Sequence, residues 1–129
     1  MIYVDTSVVL AHLLGEGHAT PPSMWAQLLI SSRLLEYEAW TRIHAMDLSG
    51  SHAEPLRLLL GRLAFVELAQ PVLARALEPF PVPVRTLDAL HLASLDFLRR
   101  QKQDVELATY DKRMQHAAER IGVPIFDLT

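Results

Sequence analysis

The sequence predicts an α/β sandwich in which helices cover a mostly parallel β-sheet. Short apolar segments that suit buried strands alternate with longer segments whose apolar residues recur at helical spacing. Threonine, serine or proline stands where several helical segments begin, and glycine stands where several of them end. Strands that alternate with helices in this way form strand–helix–strand units, and such units give parallel strands.

The first strand and the first helix come from the segment MIYVDTSVVL. Residues 2–4 suit a short buried strand, and the apolar residues that follow have helical spacing. Thr6 or Ser7 can cap this helix, and Gly15 and Gly17 are expected to end it.

The later elements are predicted by the same signals. Ser49 and Gly50 are expected to end one helix, Thr86 to cap another, and Gly122 to end the last. The segment EPFPVPVR fits neither a helix interior nor a central strand, so it is a connector. In chain order we expect a short helix from residue 20, a strand at 30–32, helices at 33–48 and 53–64, a strand at 65–68, helices at 71–77 and 87–102, a strand at 105–109, a helix at 112–121 and a strand at 123–128.

The composition fits one compact domain over residues 1–129, since 50% of the residues are hydrophobic and 21% are charged. The absence of cysteine excludes disulfides, thiolate zinc sites and cysteine nucleophiles. No apolar run reaches the roughly 18 residues of a membrane span, and we expect a cytoplasmic protein. The net charge of -3 does not indicate nucleic-acid binding, so a polyanion would have to be held locally.

Two aspartates stand at the ends of predicted strands. Asp5 follows the first strand, and Asp111 follows the strand at 105–109. In an open parallel sheet, sites form beyond the carboxyl ends of the strands. Asp88 is in the first turn of the helix after the proline-rich connector, and we expect it at the same edge of the sheet.

A fourth acid comes from the helix that follows the second strand. Successive helical residues turn by about 100°, so Glu36 and Glu38 point about 200° apart and only one of them can face the site. We favour Glu38, because Leu34 and Leu35 can share its side of the helix and Arg42 lies one turn further along it. By itself, Glu38 would be an exposed acid paired with Arg42.

The other acids also have a structural explanation when each is taken alone. Asp5, Asp88 and Asp111 stand where an acid stabilises a helix N-terminus. Three or four carboxylates at one edge, however, would repel one another unless a divalent cation bound them. Oxygen ligands suit Mg²⁺ or Mn²⁺, and no pair of histidines or cysteines indicates zinc. The sequence therefore predicts an acidic, oxygen-only site.

The segments that contain these acids resemble the motifs of a known protein family. Four segments resemble, in order and spacing, the motifs of PIN-domain ribonucleases, and most closely the VapC-type toxins of bacterial toxin-antitoxin modules. The likeness spans nearly the whole chain, and its most specific parts are LDALHLA and the segment that begins TYDKRM. The four segments are MIYVDTSVVL, SSRLLEYEAWTRI, TLDALHLASL and LATYDKRMQHAAERIGVPIFDL.

The resemblance implies a three-layer α/β/α PIN-like fold with four to five strands and an endoribonuclease that depends on Mg²⁺ or Mn²⁺. It also implies inhibition by a cognate antitoxin and RNA products with a 5′-phosphate and a 3′-hydroxyl. The family's supporting hydroxyls fall on Thr6 or Ser7 and on Thr109. Its catalytic and metal-binding acids fall on Asp5, Glu38, Asp88 and Asp111, with Glu36 as a rival to Glu38.

Three further expectations concern residues around this site. The basic residues near the site in sequence are candidates to hold RNA phosphates, with Arg42, Lys112 and Arg113 as the best ones beside Arg33 and Arg85. His91 is expected to pack at the edge of the core with one ring nitrogen hydrogen-bonded, although a role as metal ligand or general base stays open. Large apolar side chains on the early helices suit the core, and they also suit a homodimer or an antitoxin helix.

Two other functions share features with this sequence. A phosphatase of the haloacid dehalogenase type also begins with a strand that ends in aspartate, but it needs a second aspartate two residues later, where this chain has Ser7. A PIN-like scaffold could instead bind RNA or a protein without cutting it. The complete set of four acids favours the nuclease.

Overall fold

A computed structural model describes residues 1–15 and 20–129. The strands are β1 (Ile2–Val4), β2 (Leu29–Ser32), β3 (Ala64–Val66) and β4 (Glu106–Ala108). The helices are α1 (Thr6–Leu14), α2 (Pro22–Trp25), α3 (Arg33–Ala45), α4 (Ser49–Leu60), α5 (Gln70–Ala76), α6 (Thr86–Arg100) and α7 (Lys112–Arg120). Gly17, which was expected to help end the first helix, lies outside the described residues.

The strands of the described residues form one parallel sheet in the order β3-β2-β1-β4. β1 is central, with Ile2 opposite Leu29 of β2 and opposite Glu106 of β4. The chain moves from β1 outward to β2 and β3 and then returns to the other side of β1. This reversal creates a switch point at the carboxyl end of β1, which is where open α/β sheets form their sites.

Helices cover both faces of the sheet because successive residues of β1 point to opposite sides. Ile2 and Val4 pack with α1, α2, α3 and α4, whereas Tyr3 packs with α5, α6 and α7. Residues 2–4 are fully buried, as expected for a central strand between two helical layers. The predicted three-layer α/β/α fold with a mostly parallel sheet of four to five strands is confirmed.

Two predicted helix boundaries are wrong. Ser49 and Gly50 begin α4 rather than end α3, because the chain turns earlier, at Asp47, which has a φ of 54°. Thr86 is the first residue inside α6, and Arg85 precedes it in an extended conformation as the capping residue.

Two other local predictions also differ from the structure. Neither Thr6 nor Ser7 is the cap of α1, since both lie within the helix and Asp5 precedes it. The strand predicted at 123–128 is a single parallel bridge between Leu107 and Ile125. Pro124 next to Ile125 has no N–H to donate, which limits the ladder that this segment can form. None of the described helices is long and apolar enough to cross a membrane.

Candidate active site

Asp5 lies at the switch point of the sheet, directly after β1. Its backbone N–H donates to the carbonyl of Ala108 in β4 (3.0 Å), so the sheet itself fixes where the residue lies. The side chain is buried, with 7% of the residue exposed. Its Oδ2 accepts hydrogen bonds from the hydroxyls of Ser7 (3.0 Å) and Thr109 (2.5 Å). Asp5 does not cap α1 through its side chain, so these hydroxyls, rather than a helix end, hold the carboxylate.

Glu38, and not Glu36, faces the same edge of the sheet. Glu38 Oε1 accepts hydrogen bonds from the Thr6 hydroxyl (2.8 Å) and from His91 Nε2 (2.6 Å). Glu36 instead forms an ion pair with Arg33 (3.0 Å). Burial by itself would raise the pKa of Glu38, but the interactions with His91 and Thr6 outweigh burial and hold that pKa below its usual value. Glu38 is therefore an ionised acceptor at this edge.

A buried hydrogen-bond chain supports Glu38 from the other side. His91 is 2% exposed, and its Nδ1 lies 2.7 Å from the hydroxyl oxygen of Tyr3. The same hydroxyl accepts the backbone N–H of Ser32 (3.2 Å). Burial first, and the charge of Asp5 second, raise the pKa of Tyr3 far above its usual value, so the phenol keeps its proton. Both ring nitrogens of His91 are hydrogen-bonded, one more than the sequence predicted.

Asp88 and Asp111 lie on either side of an arginine. Arg85 Nε lies 3.1 Å from Asp88 Oδ2, and its Nη2 lies 3.4 Å from Asp111 Oδ2. Asp111 also caps α7, because its Oδ1 accepts the backbone N–H groups of Arg113 (2.9 Å) and Met114 (3.3 Å). The capping explanation for Asp111 is thus correct for one of its oxygens, and the other oxygen faces a cation.

The four predicted acids are linked through neighbours rather than in direct contact. Thr109 donates to Asp5 and accepts the backbone N–H of Asp111 (2.9 Å), and His91 on α6, one turn after Asp88, donates to Glu38. As the side chains stand, no three histidine, aspartate or glutamate side chains in residues 1–15 and 20–129 come together closely enough to hold one ion. The acids therefore lie at one edge of the sheet, but their side chains do not surround a single position that an ion could occupy.

The donor set nevertheless fits a hard divalent cation. The hydrogen bonds of Asp5 use Oδ2 and those of Glu38 use Oε1, so each keeps one carboxylate oxygen that no described residue engages. A guanidinium already occupies a cation position between Asp88 and Asp111. Carboxylate oxygens of this kind are the ligands that Mg²⁺ and Mn²⁺ accept.

The three basic residues predicted to hold phosphates are all exposed. Arg42 lies one turn after Glu38 on α3 and forms no ion pair with it. Lys112 and Arg113 form the first turn of α7, directly after Asp111. Arg113 also lines a cavity of about 250 Å³ together with Arg85 and Asp88. The positions of these residues are compatible with contact to a bound polyanion.

Known proteins are similar to this chain over the residues that form the site. The family model described as PIN domain matches residues 2–120. The chain belongs to the PIN domain family. It is 30% identical over 130 residues to Ribonuclease VapC47 of Mycobacterium tuberculosis (strain CDC 1551 / Oshkosh), an alignment that covers 95% of this chain and 93% of that protein.

Two further relatives come from the same species. The chain is 30% identical to Ribonuclease VapC35 of strain ATCC 25618 / H37Rv, over 97% of this chain and 95% of the relative. It is 29% identical to Ribonuclease VapC46 of that strain, over 96% and 95% respectively. The resemblance to VapC-type PIN ribonucleases that the sequence motifs indicated is confirmed.

Two features of the site in this PIN domain were not predicted from the sequence, namely the hydrogen bonds of Tyr3 and the contact of Arg85 with two acids. Tyr3 was assigned to the strand core, although a fully buried tyrosine normally finds a partner for its hydroxyl, which is a usable signal. Arg85 ends the proline-rich connector, and its contact with two acids depends on how the chain enters α6. No spacing in the sequence fixes that entry.

Proposed function

We propose that residues 1–129 form a single PIN domain that acts as a Mg²⁺-dependent endoribonuclease, with Mn²⁺ as an alternative, and that it is the toxin of a type II toxin-antitoxin pair. The relatives named as ribonucleases support RNA as the substrate class. One observation carries the proposal. Asp5 and Glu38 are each held through one carboxylate oxygen, beside Asp88 and Asp111 at the switch point of a parallel sheet.

Asp5, Glu38 and Asp88 are the residues proposed to hold the cation, with Asp111 completing the set. A bound Mg²⁺ would lower the pKa of a water molecule and neutralise charge at the scissile phosphate. Ser7 and Thr109 keep Asp5 in place, and Thr6 does the same for Glu38. These hydroxyls donate hydrogen bonds to the carboxylates, so they hold the acids in one orientation.

Arg42, Lys112 and Arg113 are proposed to hold the RNA backbone through its phosphates. Changing Lys112 or Arg113 to glutamate should weaken RNA binding at low salt and reduce the dependence of the affinity on salt concentration, since each phosphate contact releases about one counterion. Fluorescence anisotropy with labelled RNA over a salt series measures both effects. Arg120→Glu at the other end of α7 is the matched control, and equal losses in all three variants would count against a local phosphate grip.

The ends of the RNA products test the proposed reaction. Incubation of a 5′-labelled RNA with the protein and Mg²⁺ should give fragments with a 5′-phosphate and a 3′-hydroxyl, because the oxygen of a water molecule bonds to the phosphorus while the P–O3′ bond breaks and the 3′-oxygen leaves and takes up a proton. A chelator should abolish cleavage, and added Mn²⁺ should restore it. Fragments with 2′,3′-cyclic phosphates, or cleavage that persists in the chelator, would contradict the proposal.

A PIN scaffold that binds without cutting is the second candidate. One observation favours it, namely that no three acidic or histidine side chains of the described residues converge closely enough to hold an ion. Calorimetric titration with Mn²⁺ separates the two candidates. A nuclease should bind Mn²⁺, and substitution of Asp5 or Glu38 should weaken that binding. A scaffold should bind RNA equally well in the presence and in the absence of Mn²⁺.

We further propose that the protein forms a homodimer and binds a cognate antitoxin. Exposed leucines and the proline-rich connector line an apolar cavity of about 800 Å³, and Leu77 there is 89% exposed. Apolar surface of this kind is typical of interaction sites. Light scattering should give the mass of two chains, and a single-chain mass at high concentration would rule the dimer out.

A further inference from the structure

A continuous chain of buried hydrogen bonds runs from the backbone of β2 to Glu38. The Ser32 N–H donates to the Tyr3 hydroxyl oxygen (3.2 Å). That hydroxyl lies 2.7 Å from Nδ1 of His91, and the N–H at Nε2 of the same ring donates to Glu38 Oε1 (2.6 Å). Tyr3 and His91 therefore connect the sheet to one carboxylate oxygen of Glu38.

In this chain of hydrogen bonds, both ring nitrogens of His91 have a partner. With both ring nitrogens hydrogen-bonded and the side chain buried, His91 can neither bind a metal nor reach a substrate. Burying a polar chain in the core costs free energy unless every member is satisfied, and phenylalanine and leucine would pack there at lower cost. The chain ends on only one functional group at the site, the carboxylate of Glu38.

We propose that Tyr3 and His91 are positioning residues that hold one carboxylate oxygen of Glu38 so that the other is presented to the divalent cation. Oε1 accepts hydrogen bonds from His91 and Thr6, which lie in opposite helical layers, and these two bonds fix the plane of the carboxylate. Oε2 is left to the ion. The inference rests on the proposed metal-dependent function and adds two residues to the machinery of that site.

Asp5 provides an internal comparison for this arrangement. Its Oδ2 also accepts two hydrogen bonds, from Ser7 and Thr109, and its other oxygen is not engaged by any described residue. Two acids at the same edge are thus held in the same way through different donors. Partners that orient a metal-binding side chain typically change metal affinity about 10–100-fold when they are removed.

Binding of Mn²⁺ to the RNA-free protein, measured by calorimetry, tests the proposal without any activity assay. His91→Leu removes the donor and should raise the Kd by about tenfold or more. His91→Gln keeps an N–H at a similar distance from the backbone and should recover most of the affinity. Tyr3→Phe should raise the Kd by a smaller factor, because Nδ1 loses its hydrogen-bond partner and the imidazole ring is held less firmly. His116→Leu and Tyr37→Phe, which change exposed residues of the same types, should leave the Kd unchanged.

The outcomes separate this proposal from the proposed function. If Glu38→Gln weakens Mn²⁺ binding but a folded His91→Leu does not, the positioning role is wrong and the metal site stands. If glutamine at position 91 is no better than leucine, packing rather than hydrogen bonding explains the effect, and the role is also wrong. If His91→Leu does not fold, Tyr3→Phe decides, and an unchanged Kd in that variant overturns the proposal. A wild-type protein that binds no Mn²⁺ would overturn the metal site and this inference together.

Discussion

Replacing Asp5 with asparagine is expected to reduce the rate of RNA cleavage at saturating Mg²⁺ by at least about 100-fold. Asparagine keeps an oxygen that can accept the hydrogen bonds from Ser7 and Thr109, so the side chain can stay in place. The change removes one negative charge at the switch point of the sheet. Loss of activity would therefore report the charge that holds the cation rather than a loss of structure.

A gel-based cleavage assay with thermal denaturation of the same samples checks this expectation. Asp104→Asn is a suitable control, because Asp104 is exposed before β4, at the opposite end of the strands from Asp5. The control should cleave RNA at the wild-type rate. A folded Asp5→Asn variant with unchanged turnover would remove Asp5 from the catalytic site and, with it, the main support for the nuclease.

Leu92→Ala is expected to lower the free energy of unfolding by about 2–5 kcal/mol. Leu92 is fully buried on α6, between the sheet and the neighbouring helices. Truncation there removes apolar contacts and leaves a cavity that the surrounding residues can fill only in part. Because α6 also carries Asp88 and His91, we expect the site to lose order as the helix loosens.

Urea denaturation followed by circular dichroism measures this effect. Leu87 on the same helix is 48% exposed, and Leu87→Ala should change the free energy of unfolding by only about 0.5 kcal/mol. The pair separates loss of packing from loss of helix propensity, since both variants make the same substitution in one helix. Equal destabilisation by the two substitutions would mean that α6 does not pack as described.

The edge of the sheet that carries the acids could be predicted from the sequence. Asp5 and Asp111 each follow a short apolar segment, and parallel strands bring such positions to one side. Helical geometry favours Glu38 over Glu36, because Leu34 and Leu35 share its side of the helix, but contacts with other side chains decide the choice. These contacts are with Arg33, which binds Glu36, and with Thr6 and His91, which bind Glu38.

The error at the end of α3 has a physical origin. Ser49 and Gly50 predict the end of α3, yet Asp47 adopts the positive φ that makes the turn, and aspartate tolerates this conformation better than most residues. The polar chain through Tyr3 was hidden for a different reason. Its members are 29 to 88 residues apart in sequence, and only the register of β1 against β2 and α6 brings them together.

The guanidinium of Arg85 sets a condition on loading the site with metal. A cation that binds between Asp88 and Asp111 has to displace the Arg85 guanidinium. Exposed ion pairs of this kind contribute little free energy, so the displacement costs little. Under the proposed function, the released arginine would lie beside the four acids, where a phosphodiester of the RNA would bind. Occupancy by the ion and capture of the nucleic acid would thereby be thermodynamically coupled through one side chain.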